Sequence, residues 1–145
     1  MEREFRNAHP ALAEAFILHA DIGEEASCNA FLQALPADFK IPDVLVLNAG
    51  SYFTGRPSQM DAQELKRAID ANAGHAIRIC KALVPAMAKR NRGTIVFTGS
   101  IVNHEPRMEA CAYTLAKNVL DNYAKMLQEE FRDSASVSAE SSRVR

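Results

Sequence analysis

Three short stretches of this chain are apolar at consecutive positions rather than at every second one: Ala15-Phe16-Ile17-Leu18-His19-Ala20, Val44-Leu45-Val46-Leu47 and Thr94-Ile95-Val96-Phe97-Thr98. A strand of that kind wants cover on both faces, which is the habit of strands in parallel sheets. The segments between and after them carry helical spacing. Glu24 to Phe39 is one, with Asp21 and Gly23 just ahead of it. Asp61 to Arg90 is the second, striped by Leu65, Ile69, Asn72, Ala76, Cys80, Leu83 and Met87 at intervals of three and four. Pro85 is expected to bend it near its end, because proline removes a backbone donor. Glu109 to Arg132 is the third, with Ala112, Ala116, Val119 or Leu120, Tyr123, Leu127 and Phe131. Strand and helix alternating at these lengths imply an α/β fold with a parallel sheet of three to four strands and helical crossovers.

The ends are weaker. Ser136 to Ala139 has the pattern of a marginal extra strand, but the serine-rich composition of residues 133–145 favours a frayed tail. Residues 1–14 suggest a short helix or loop broken at Pro10. The 145 residues are expected to form one domain.

Composition removes several function classes. Seventeen basic and eighteen acidic residues give a net charge of −1, without the basic excess of a nucleic-acid or acidic-membrane binder. The first residues are charged, and no run has the length of a membrane span. Cys28, Cys80 and Cys111 are widely separated, so reduced thiols and a cytoplasmic location are expected. His9, His19, His75 and His104 show no zinc-ligand spacing, and no metal site is expected.

The residues with chemical potential cluster at strand ends, the ligand side of an open α/β sheet. Asn48-Ala49-Gly50 follows the second apolar run, and Gly50 permits close backbone approach. By itself the tripeptide is an ordinary turn. Asp21 ends the first run, where a helix-capping role is the simpler reading. Ser100 ends the third. Tyr113 and Lys117 are four apart and therefore share a helix face. An ammonium beside a phenol favours the phenolate, the form that takes a proton from an alcohol. A surface Tyr/Lys pair is the bland alternative. Asn72 interrupts an apolar stripe, so its amide needs partners or costs about 1–3 kcal/mol.

Taken together, Asp21, Asn48-Ala49-Gly50, Asn72, Ser100 and the segment Tyr113-Thr114-Leu115-Ala116-Lys117 resemble the short-chain dehydrogenase/reductase family, in order and in spacing. The resemblance covers residues 12 to 132. It implies a partial Rossmann-like sheet and NAD- or NADP-dependent hydride transfer between an alcohol and a ketone. Tyr113 would be the acid/base. Lys117 would assist it and hold the nicotinamide ribose. Ser100 would bind the substrate oxygen, and Asn72 would support a water relay to Lys117. Asp21 and Ile22 would sit by the adenine, and Asn48, Ala49 and Gly50 would line the cofactor cleft. The loop from Ile101 to Ala112, with Asn103, His104, Glu105 and Arg107, is expected to face a small alcohol or carbonyl substrate. His104 is expected to be solvated.

The departures also carry expectations. No GxxxGxG occurs, so the pyrophosphate grip of the family is not visible and dinucleotide binding is expected to be weak or absent. The chain resembles a family member lacking its first βαβ unit and its last segments. The first and second apolar runs then either pair directly, or the first drifts away. All three helices share one face of the sheet, and the other face is left bare. The competing reading is a non-catalytic remnant that pairs with a full-length relative. In either case the two long helices are the expected surface for a homo-oligomer.

Overall fold

The computed structural model describes residues 17–21, 23–132 and 137–142. Helix α1 spans Glu25–Ala34 and ends before Pro36, and a short 3-10 turn follows at Ala37–Phe39. Strand β1 is Val44–Leu47. A long loop leads to α2, Ala62–Ile69, whose start is capped by Asp61 through a 3.0 Å bond from the Gln63 N–H to its carboxylate. A π-helical turn at Asp70–Gly74 joins α2 to α3, His75–Lys89. Strand β2 is Gly93–Thr98, helix α4 is Cys111–Glu130, and β3 is Val137–Ser142.

The three strands form one parallel sheet in the order β1-β2-β3. Val44 pairs with Thr94 and Leu47 with Phe97, while Gly93 pairs with Val137. The α/β, partial Rossmann-like reading therefore stands, but its strands need two corrections. Residues 17–20 of the first apolar run form no strand, and Ala15 and Phe16 lie outside the described residues. Ile17 and Leu18 instead border an apolar depression with Phe31, Leu35, Pro36 and Phe39. The second correction is at the C-terminal end. Residues 137–142 hydrogen-bond alongside β2, where composition favoured a frayed tail. Pairing to a buried central strand outweighs a serine-rich composition, because sheet propensity depends on neighbours. Residues 1–14 lie outside the described residues.

The helix from Asp61 to Arg90 is interrupted at Asp70–Gly74, and α3 continues through Pro85. Its end is set by Asn91, whose φ of 56° is left-handed. The Asn91 and Arg92 N–H groups bond back to the Ala88 and Met87 carbonyls at 2.9 and 3.2 Å, closing the helix terminus.

Two hydrophobic clusters are packed among the described residues, a small one at Ala68, Ala112 and Ala116 and a larger one between sheet and helices. Leu47, Ile95 and Phe97 from the sheet meet Ile79, Cys80, Leu83 and Met87 of α3 and Leu120, Ala124 and Leu127 of α4. Leu32 of α1 packs on the same cluster, so all three helical segments cover one face. The opposite face is open: Val44 and Val46 are 58% and 59% exposed.

Candidate active site

The C-terminal ends of β1 and β2 open onto a cleft of about 360 Å³, lined by Asn48, Gly50, Ser51, Tyr52, Asn72, Thr98, Gly99, Ser100, Tyr113 and Lys117. The topology explains the convergence. Parallel strands deliver Asn48 and Thr98 to the same edge, and Thr98 Oγ1 donates to Asn48 Oδ1 at 2.8 Å. Helix α4 then passes over that edge, turning Tyr113 and Lys117 towards it.

Lys117 is 5% exposed, unusual for an ammonium. Its Nζ donates to the Thr98 carbonyl at 2.9 Å and lies 5.8 Å from the centre of the Tyr113 ring. Burial pushes its pKa below the usual lysine value. The Tyr113 ring packs on Tyr52 at a centroid separation of 4.9 Å.

Asn72 is fully buried in the π-helical turn. Its Nδ2 donates at 2.9 Å to both the Ala68 and the Ser51 carbonyls, which ties α2 to the loop after β1. Its Oδ1 is buried with no protein partner. A Cβ at Gly50 would lie 2.6 Å from that oxygen and 3.7 Å from Lys117 Nζ, so only glycine leaves this space open. One turn on, His75 is also buried; burial, with the Lys117 and Arg78 charges, lowers its pKa.

Of the residues singled out in the sequence, Asn48, Gly50, Asn72, Ser100, Tyr113 and Lys117 meet in this cleft. Ala49 is exposed between two lining residues and does not line it. Asp21 is not brought in; it borders a separate surface depression with His19, Ala20 and Ser27. Ile22 lies outside the described residues. Asn103 does not line the cleft but turns inward, because both ends of its amide find backbone partners. His104 is exposed. Thr98 and Tyr52 were not anticipated. Thr98 contributes a backbone carbonyl, which no residue pattern advertises, whereas an aromatic two residues after Gly50 was a visible signal.

Among the described residues no group of three or more His, Cys, Asp or Glu side chains is placed to hold a metal, and no helix is long and apolar enough to cross a membrane.

The short chain dehydrogenase family model matches residues 2–140. The chain is 30% identical over 113 residues to the 3-oxoacyl-(acyl-carrier-protein) reductase FabG of Escherichia coli, which covers 78% of this chain and 46% of that one. It is 27% identical over 131 residues to the probable oxidoreductase EphD of Mycobacterium tuberculosis, covering 90% of this chain and 22% of that one. Among solved structures, a metagenomic short-chain oxidoreductase in complex with NADP superimposes with a TM-score of 0.84 at 28% identity, over 99% of this chain and 64% of that one. The chain thus spans about half the length of FabG. With a family model matching nearly its whole length, the chain belongs to the short-chain dehydrogenase family.

Proposed function

We propose that this chain carries the catalytic half of an NAD- or NADP-dependent oxidoreductase that interconverts an alcohol and a ketone. The observation that carries the reading is the buried Lys117 ammonium, held by the Thr98 carbonyl and facing the Tyr113 ring inside the cleft that Ser100 lines. The cofactor reading draws on the NADP complex of the metagenomic relative.

The residues fit the nicotinamide–ribose half of a dinucleotide. Lys117 Nζ has donors beyond the one it gives Thr98, and Gly50 leaves room beside it for a ribose hydroxyl. A dinucleotide held there would provide the hydride needed to reduce a carbonyl carbon. Tyr113 gives its phenolic proton to the carbonyl oxygen, so a C–H and an O–H bond form as the C=O π bond is lost. The Lys117 charge stabilises the phenolate left behind. The Ser100 hydroxyl orients the substrate oxygen. Asn72 would support proton movement beside Lys117: its buried Oδ1 has no protein partner and is free to accept from a bridging water there. Asn48 borders the cofactor side, and Asp21 would serve its adenine end.

The test is a titration of the purified chain with NADPH and NADH, followed by nicotinamide fluorescence, together with ketone-dependent loss of absorbance. Weak but saturable binding, in the millimolar range because no GxxxGxG occurs, is expected together with turnover. No binding up to about 10 mM, a level at which even a −3 kcal/mol interaction registers, overturns the reading.

A second reading is favoured by the open sheet face at Val44 and Val46. It is a non-catalytic family member that pairs with another chain. Pairing of two copies through α4 suits either reading, since Leu115, Val119 and Met126 lie exposed on its outer side.

A further inference from the structure

The serine loop and the Tyr113–Lys117 helix come from separate parts of the chain, yet the proposed chemistry needs their hydroxyls to meet at one substrate oxygen. The Asn103 side chain joins Ser100 itself to the helix. Asn103 Oδ1 accepts the Ser100 N–H at 2.9 Å, and Asn103 Nδ2 donates to the Lys117 carbonyl at 2.8 Å. Lys117 Nζ in turn grips the Thr98 carbonyl at 2.9 Å, two residues before Ser100. These bonds close a circuit: Thr98 to Ser100 along β2, Ser100 to Asn103, Asn103 to the Lys117 backbone, and the Lys117 side chain back to Thr98.

We propose that Asn103 is a positioning residue, which sets Ser100 in register with Tyr113 and Lys117 by bonding the Ser100 backbone and the Lys117 backbone at once. The assignment rests on the function proposed above. Asn103 does not line the cleft, so it acts through Ser100 and not on the substrate. The task calls for an amide. One short side chain must present an acceptor and a donor on two separate atoms: a carboxylate has no donor, an alkyl group has neither, and a hydroxyl places both on one oxygen. The bonds also survive in the fold for a packing reason: Val102 beside it is 3% exposed and pins the 3-10 turn Ile101–Asn103 against the protein.

The test compares the wild-type chain with Asn103→Ala and Asn103→Asp. Two readouts are taken: amide hydrogen exchange at Ser100 without cofactor, and steady-state reduction of acetoin, ethyl acetoacetate and acetophenone by NADPH. For Asn103→Ala, exchange at Ser100 is expected to rise at least about tenfold. Its kcat is expected to fall about tenfold while the KM for NADPH stays within about twofold, because misplacement of a reacting group lowers kcat and spares ground-state binding. Asn103→Asp keeps the acceptor and loses the donor. Slow exchange at Ser100 with a smaller loss of kcat is expected there. A general loss of structure would instead raise the NADPH KM along with the fall in kcat, and that pattern overturns the proposal. So does unchanged exchange, or unchanged kcat, in Asn103→Ala, or fast Ser100 exchange in Asn103→Asp. An active wild type with an unaffected Asn103→Ala variant overturns this inference alone. An inactive wild type overturns the proposed function and the positioning role with it.

Discussion

The two ends of the proposed cofactor site are built differently. At the Lys117 end, local bonds such as Ser100 to Asn103 and Asn72 to Ala68 are joined by four that span distant sequence: Thr98 to Asn48, Asn72 to Ser51, Asn103 to Lys117, Lys117 to Thr98. At the Asp21 end the bonds are local. Ser27 Oγ accepts the Asp21 N–H at 2.7 Å, and the Asp21 carboxylate accepts the Gly23 N–H at 2.9 Å. The first end is fixed by four converging elements and keeps its geometry by itself. The second is an exposed turn whose neighbour, residues 17–20, lies off the sheet. The proposed chemistry, which depends on ångström-level placement, is thus assigned to the end with long-range contacts, and the proposed role of the turn is limited to affinity.

The largest blow to that contrast should come from Tyr113→Phe. Removing the proton donor is expected to lower kcat for ketone reduction by about a thousandfold, the scale of general acid–base catalysis, with the melting temperature little changed. Next is Lys117→Met, expected to lower turnover about a hundredfold yet to stabilise the fold, because an ammonium is no longer buried. Its pH signature is distinctive. Burial lowers the lysine's pKa below its ordinary 10.5, so between the lowered value and 10.5 the unfolded chain holds the extra proton. Wild-type stability should rise with pH across that window, and urea titrations of Lys117→Met should lack the slope.

Gly50→Ala is expected to do less. Its Cβ would press on the Asn72 oxygen at 2.6 Å, a strain of about 1–3 kcal/mol, and should weaken NADPH binding about tenfold by fluorescence titration. Asp21→Asn should do least: stability within about 0.5 kcal/mol by denaturant titration, and a change in cofactor affinity of about threefold. A loss at Asp21 that matched the loss at Lys117 would erase the distinction between the two ends.

Much of the proposed catalytic end was legible in the order of residues. Tyr113 and Lys117 one helical turn apart, a serine at a strand end and a polar break in an apolar stripe all describe local geometry that survives folding. The π-helical turn was not legible. Asn72 lies on the same helical stripe whether or not the helix widens there, and the widening reflects its amide bonding the Ser51 and Ala68 carbonyls. Nor was the inward turn of Asn103, expected to face substrate, because its partners are two backbone groups brought near only by packing. The first apolar run misled for a related reason. A strand is stable only beside another strand, and consecutive apolar residues show the wish for cover without showing that it is met.

The sequence by itself determined the α/β alternation, the helix-covered core and the identity of the phenol, ammonium, hydroxyl and amide in the cleft, since spacing along helices and strands is a local property. Tertiary structure alone decided which segments became the sheet, with residues 137–142 in and 17–20 out. It also decided which carbonyls hold Lys117 and Asn103, because backbone groups look alike in every residue and only the packing of β2 against α4 selects among them.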